Sequence, residues 1–160
     1  MYVDFNSLPD SARIWIYQSN REFSQNEQEL IVNNAKAFID SWTRHGDDLK
    51  GSFTISYNRF LVIAVDENFA NVSGCSIDAS VRFIKGLEQE LSVDLLNKLN
   101  IAFKTMDDVN SVNLSDFKEF ISQGKISKET IVFNNLVATK KEFETSWEVP
   151  ADQSWHQRLF

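Results

Sequence analysis

The only cysteine of the chain, Cys75, lies in the segment NVSGCSIDASV (residues 71–81), directly after a glycine and at the start of a predicted helix. Free amides at a helix start favour a thiolate, the reactive form of cysteine. With His45 as a base and Asp78 as a second acid–base group, Cys75 would complete the site of a thiol-dependent enzyme or a redox-responsive regulator. A free cysteine is more often a buried, small hydrophobic side chain. Because apolar residues flank this turn, we expect Cys75 to be buried where strand and helix meet.

The same turn carries small polar residues that could bind an anion or another small ligand. Free amides, hydroxyl groups and a nearby cation are the groups that such a ligand needs. The candidates are Ser73, Gly74, Cys75, Ser76 and Arg82. Six residues separate the cysteine from this arginine, one more than in a cysteine phosphatase loop. The alternative is that a serine hydroxyl of the turn caps the helix.

The motifs of nucleotide-binding and zinc enzymes are missing from the chain. A phosphate-binding loop needs Gly-Lys followed by Ser or Thr, with a second glycine upstream. The single Gly-Lys pair, Gly124-Lys125, has neither of these neighbours. One cysteine and two histidines, distant in sequence, are too few for a zinc site. The sequence therefore predicts no metal, no cofactor and no ATPase activity.

The C-terminal segment SWHQRLF brings aromatic, imidazole and guanidinium groups close together. Trp155, His156 and Arg158 are the candidates for contact with a partner. The segment shows no helical or strand period, and its large apolar residues favour packing on the body of its own domain. Two interpretations therefore stay open, docking on its own domain and binding to a partner protein.

Hydrophobic periodicity predicts two amphipathic helices and four strands. The first helix begins at Ser24, which has capping-box spacing with Glu27, and ends at Gly46, a residue suited to a C-terminal cap. The second helix begins near Ile77. The strands are predicted at Arg13–Tyr17, Phe53–Tyr57, Phe60–Val65 and Ile101–Thr105, with a hairpin turn at Asn58-Arg59.

This order of elements predicts an α+β fold with a ferredoxin-like split βαβ core. In that arrangement the four strands share one mainly antiparallel sheet, and both helices cover one face. The remaining residues predict a C-terminal α/β elaboration, with a short helix ending at Gly124, a strand at residues 130–135 and a helix from Thr139. Because no linker or repeat interrupts the chain, residues 1–160 are expected to form a single domain.

Composition limits the partners and the compartment. The net charge of −7 disfavours nonspecific binding to nucleic acid or to anionic membranes. No apolar run approaches the ~20 residues of a membrane-spanning helix, and the first residues lack the basic and apolar regions of a signal peptide. A single cysteine is typical of a protein of the reducing cytoplasm. A protein partner or a small ligand of unknown identity is expected, and a homodimer remains open.

Five segments resemble a family of short, uncharacterised bacterial proteins that are commonly labelled "ABC transporter ATPase". The segments are WTRHGDDLKGSF, FLVIAVDE, SGCSIDASVRFIKGLE, WEVP and SWH. The label implies a phosphate-binding loop, and VSGCS is similar to the LSGGQ signature of those ATPases. Because the loop itself is absent, we expect a cytoplasmic binding or interaction module without catalytic activity. The alternative is a thiol-dependent enzyme or redox-responsive regulator centred on Cys75.

Overall fold

The computed structural model describes residues 1–160, and it confirms the mixed α/β class, with four α-helices and nine strands in three sheets. In chain order the elements are β1 (Arg13–Gln18), α1 (Gln25–Asp40), β2 (Thr43–Arg44), β3 (Asp47–Asp48), β4 (Gly51–Ser56), β5 (Phe60–Val65), α2 (Gly74–Leu91), β6 (Asn100–Thr105), β7 (Asp108–Asn113), α3 (Leu114–Ser122), β8 (Ile131–Phe133), α4 (Lys140–Ser146) and β9 (Glu148–Pro150). Short 3-10 segments lie at Phe5–Ser7, Ala151–Gln153 and Trp155–Leu159.

The chain divides into two compact units. The first unit comprises Met1–Leu96 with Ala138–Lys141, and the second comprises Asn97–Val137 with Glu142–Phe160. No helix of the chain is both long enough and apolar enough to cross a membrane.

The first unit contains an antiparallel sheet in the order β1-β5-β4. All six residues of β5 are buried, as its continuous apolar run predicts for a central strand. The β4–β5 hairpin is confirmed, but its turn lies one residue earlier than predicted. Tyr57 and Asn58 take the left-handed conformation there, with φ of 52° and 56°, the geometry of a tight hairpin turn.

Helices α1 and α2 pack on the same face of this sheet, as predicted. Apolar residues of both helices and of β4 and β5 share one buried cluster, and Phe38 of α1 stacks on Phe83 of α2 with ring centroids 4.7 Å apart. The helix and strand members of the cluster include Ile31, Ala35, Ile39, Ile84, Leu87, Leu91, Phe53, Leu61, Ile63 and Val65.

Helix α1 starts as predicted but ends earlier. The Ser24 hydroxyl accepts from the Glu27 amide, and the Glu27 carboxylate accepts from the Ser24 amide, so the capping box is complete. The helix stops at Asp40 rather than at Gly46. His45 and Gly46 instead form the turn of the small β2–β3 hairpin, with φ of 51° and 85°. Gly46 does have the predicted left-handed backbone, but it closes a hairpin rather than a helix.

The second unit holds the remaining large sheet, in the order β7-β6-β8-β9. The ferredoxin-like prediction is therefore not confirmed, because Ile101–Thr105 does not join β1, β4 and β5 in one sheet. The physical reason is local. A tight turn at Met106 and Asp107 connects β6 to β7, and the two strands pair as an antiparallel hairpin. The predicted elaboration is confirmed as α3, β8 and α4. The core of the unit consists of Ile101, Phe103, Phe117, Ile126, Val132 and Ala151.

Candidate functional site

Cys75 is exposed, so the prediction that it packs in the core is wrong. Helix α2 already begins at Gly74, which places Cys75 in its first turn. The buried positions of this helix are Ser76, Ser80, Ile84, Leu87 and Leu91. Because successive helical residues are rotated by about 100°, Cys75 points away from the face that starts with Ser76. The apolar residues that flank Cys75 in the sequence do not indicate on which face of α2 it lies, because that face depends on the residue at which the helix begins.

The serines beside Cys75 have structural roles. The Ser73 hydroxyl accepts from the Ser76 amide at 3.2 Å, which confirms the predicted capping. The Ser76 hydroxyl donates to the Thr43 carbonyl at 2.9 Å, and the Trp42 indole donates to the Ser76 carbonyl at 2.9 Å. Since Ser76 uses its proton on Thr43, Ser73 is the donor in the 2.9 Å contact between the two hydroxyls. These bonds join the start of α2 to β2 and leave few groups of the turn for a ligand.

The other candidates of this region lie on the surface. His45 is exposed in the β2–β3 turn, and Asp78 and Arg82 are exposed on α2. No hydrogen bond or ion pair joins Cys75 to His45 or Asp78. The fold therefore brings the β2–β3 hairpin to the start of α2, but it does not assemble a bonded catalytic set there. No group of three or more His, Cys, Asp or Glu side chains is placed to hold a metal ion.

The C-terminal segment packs on the second unit. His156 is only 1% exposed, its Nδ1 lies 2.5 Å from the Ser154 hydroxyl, and its ring contacts Phe117 of α3 at a centroid distance of 6.0 Å. Burial lowers the pKa of this imidazole to about 4. Trp155 stacks on the same ring at 3.9 Å and is half-buried, whereas Arg158 is exposed. Of the three candidates for partner contact, His156 is therefore a core residue and is not accessible to a partner.

Arg59 is a feature that the sequence does not indicate, because its place after Asn58 predicts an ordinary turn residue. The residue is only 8% exposed, and its Nε is buried without a hydrogen-bond partner. Burial lowers the pKa of its guanidinium, and the nearby Glu22 carboxylate opposes this shift. Nothing in the sequence distinguishes a buried arginine after a hairpin turn from a solvated one.

Met106 is a second feature that the sequence did not indicate. It lies in the β6–β7 turn with φ of 56°, and its side chain is 98% exposed. A left-handed turn position favours Gly, Asn or Asp, and full exposure gives a methionine no packing in return. Leu99 and Leu136 are further exposed apolar residues of this unit.

Comparison of the chain with known protein families, curated proteins and solved structures finds no match.

Proposed function

We propose that the chain is a non-catalytic interaction module that inserts Met106, at the tip of the β6–β7 hairpin, into an apolar pocket of a partner protein. The observation that carries the proposal is the combination of 98% exposure with a left-handed backbone at this methionine. The left-handed conformation costs roughly 1 kcal/mol for a residue with a Cβ. Neither local conformation nor packing accounts for the side chain, and such conflicts concentrate at functional positions.

The surroundings of Met106 define the chemistry of the partner. Thr105, Asp107 and Asp108 are exposed beside it, so an apolar tip carries two acidic side chains at its edge. Burying a methionine side chain contributes roughly 1.5–3 kcal/mol, and its flexible thioether adapts to irregular pockets. The complementary surface is therefore an apolar pocket rimmed by basic residues.

The proposed family and the proposed cellular compartment of the protein rest on the sequence alone. The five segments that resemble the short bacterial proteins support membership of that family. The reducing cytoplasm is the proposed compartment, because one cysteine cannot form a disulfide within the chain.

The variant Met106→Gly should separate stability from binding. Glycine relieves the left-handed strain but adds freedom to the unfolded chain, so we expect a gain in stability of about 0.5 kcal/mol. Urea unfolding followed by circular dichroism measures this gain. The same change should abolish partner binding, because it removes the whole side chain that enters the pocket.

Binding is measured with a photoreactive diazirine side chain at position 106, irradiated in extracts of the native cells. A specific adduct should saturate and should be competed by excess unlabelled wild-type chain but not by Met106→Gly. Leu136, which is 70% exposed in the same unit, is the control position for the photoreactive group. Equal competition by wild type and variant would contradict the role of Met106.

A second candidate function is favoured by one observation, the exposure of Cys75 in the first turn of α2. Thiol chemistry, catalytic or redox-regulatory, needs access of this kind. We expect DTNB to label the native protein without any need for denaturant. A rate well above that of a short cysteine peptide at pH 7 would favour thiol chemistry, and an equal rate would leave Cys75 a simple surface residue. Cys75→Ser should change stability by less than about 0.5 kcal/mol, which thermal unfolding can test.

A further inference from the structure

We propose that the Arg59 guanidinium anchors a binding site for an oxyanion, that is, for the phosphate or carboxylate group of a small ligand. This site is independent of the interaction proposed for Met106. A guanidinium offers five N–H donors in a planar fork that matches two oxygens of such a group. The inference rests on three observations, namely the burial of Arg59, the absence of a hydrogen-bond partner for its Nε, and the fixed backbone that holds it.

The side chain of Arg59 is buried, and one of its donors, Nε, has no hydrogen-bond partner. The residue is 8% exposed, and its Nε donor is inaccessible to solvent and forms no hydrogen bond. The ion pairs Arg13–Glu67, Arg21–Glu27 and Lys104–Glu148 do not include it. An uncompensated buried charge is strongly destabilising, and buried polar groups are almost always paired. A buried guanidinium whose Nε has no partner therefore still has hydrogen-bonding capacity to offer a ligand.

The backbone holds Arg59 on both sides. Its amide donates to the Ser56 carbonyl at 3.1 Å, and its carbonyl accepts from the Ser19 amide at 2.8 Å. The preceding residue, Asn58, accepts from the Phe23 amide at 2.7 Å. All of these bonds satisfy main-chain groups and involve no atom of the guanidinium. A donor group on such a constrained turn is pre-organised, which reduces the entropy lost when a ligand binds.

The charges around Arg59 do not replace a ligand. Glu22 is exposed, and its carboxylate is close enough to favour the charged guanidinium, yet it forms no ion pair within 4.0 Å. Arg21 on the same segment is already committed, because both of its terminal nitrogens donate to Glu27 at 2.8 Å. Burial dominates the electrostatics of Arg59 and lowers its pKa. A bound oxyanion would supply the missing counter-charge directly.

The test is thermal unfolding of the wild-type chain with increasing inorganic phosphate, balanced with chloride to constant ionic strength. We expect a saturable rise in Tm of about 3–5 °C at a phosphate concentration tenfold above Kd. Parallel titrations with sulfate and acetate identify the ligand class: tetrahedral oxyanions raise Tm if the ligand is a phosphate group, and acetate does so if it is a carboxylate. Absence of a saturable rise with all three anions would overturn the proposal.

Arginine variants locate the site. Arg59→Met should abolish the saturable rise and, in buffer without these anions, should unfold at a Tm no lower than that of wild type, because it removes a buried donor that has no hydrogen-bond partner. Arg82→Met, at an exposed arginine, is the matched control and should keep the full response. If Arg59→Met does not fold, Arg59→Lys keeps the charge but loses the fork, and should weaken phosphate binding about tenfold. A response to phosphate that is as strong as that of wild type in either Arg59 variant would overturn the assignment.

Glu22→Gln distinguishes a ligand site from an internal ion pair. If Arg59 binds an oxyanion, removing the nearby carboxylate removes a like charge from the ligand, and phosphate should bind several-fold more tightly. If Glu22 is the true counter-ion, the same variant should lower Tm in phosphate-free buffer and leave phosphate binding no tighter. That second result would overturn the proposal.

Discussion

Lowering the pH from 7 to 4 should destabilise the second unit by about 3 kcal/mol through His156 alone. The folded-state pKa of this imidazole is about 4, because burial disfavours its charged form, while a solvated histidine titrates near 6.5. The unfolded chain therefore binds a proton before the folded unit does. The contribution of neutral His156 is complete above pH 6.5, falls as the pH drops below that value and is lost near pH 4.

Urea unfolding at several pH values between 4 and 7, followed by tryptophan fluorescence, measures this loss. Trp155 stacks on the His156 ring, so one of the four tryptophans that contribute to the signal lies beside the histidine. His156→Gln, which does not titrate, should show a stability profile that is flatter by about the same 3 kcal/mol. His45→Gln, at the exposed turn histidine, should keep the wild-type profile. Parallel profiles for wild type and His156→Gln would contradict a buried, neutral His156.

Gly51→Ala should destabilise the first unit by about 2 kcal/mol. A Cβ at this position would lie 2.9 Å from the Ala64 carbonyl oxygen and 3.3 Å from Cγ2 of Ile39. The first neighbour is backbone of the central strand β5, and the second is a fully buried side chain of α1, so neither can move cheaply. Chemical denaturation of the variant measures the change in the free energy of unfolding.

Gly86→Ala is the matched control for this prediction. Gly86 lies inside α2, and a Cβ there would meet no atom within 4 Å. Alanine is the better helix former by about 1 kcal/mol, so this variant should gain stability where Gly51→Ala loses it. Equal effects of the two substitutions would show that Gly51 does not set the distance between α1 and the sheet.

Elements with a strong local signal were predicted well. The capping box of Ser24 and Glu27, the unbroken apolar run of Phe60–Val65 and the glycine-terminated α3 all match the structure. Each of these signals depends on neighbours within a few residues, so the sequence carries the whole pattern. The boundary errors were also local in origin: Gly46 was recognised as left-handed backbone, but a helix end and a hairpin turn use the same conformation.

The pairing of β6 could not be predicted in this way. Its partner β7 is largely polar, with Val109 and Val112 as its only apolar residues, and so has no periodic signal. Strand order depends on contacts between distant segments, and the order of elements along the chain is compatible with more than one sheet arrangement. The order of elements therefore predicts one sheet for β1, β4, β5 and β6, whereas the fold places β6 in a separate sheet.

The sequence by itself determined the α/β class, most helices and strands, the acidic surface charge and the absence of phosphate-loop and zinc motifs, because these follow from composition and short-range pattern. Only the tertiary structure decided the environment of individual side chains. Cys75 is exposed because the starting residue of α2 sets its rotation, and His156 is buried because the C-terminal segment packs on α3. Arg59 and Met106 gained their significance in the same way, since burial without a partner and exposure without packing are properties of the folded surroundings rather than of residue type.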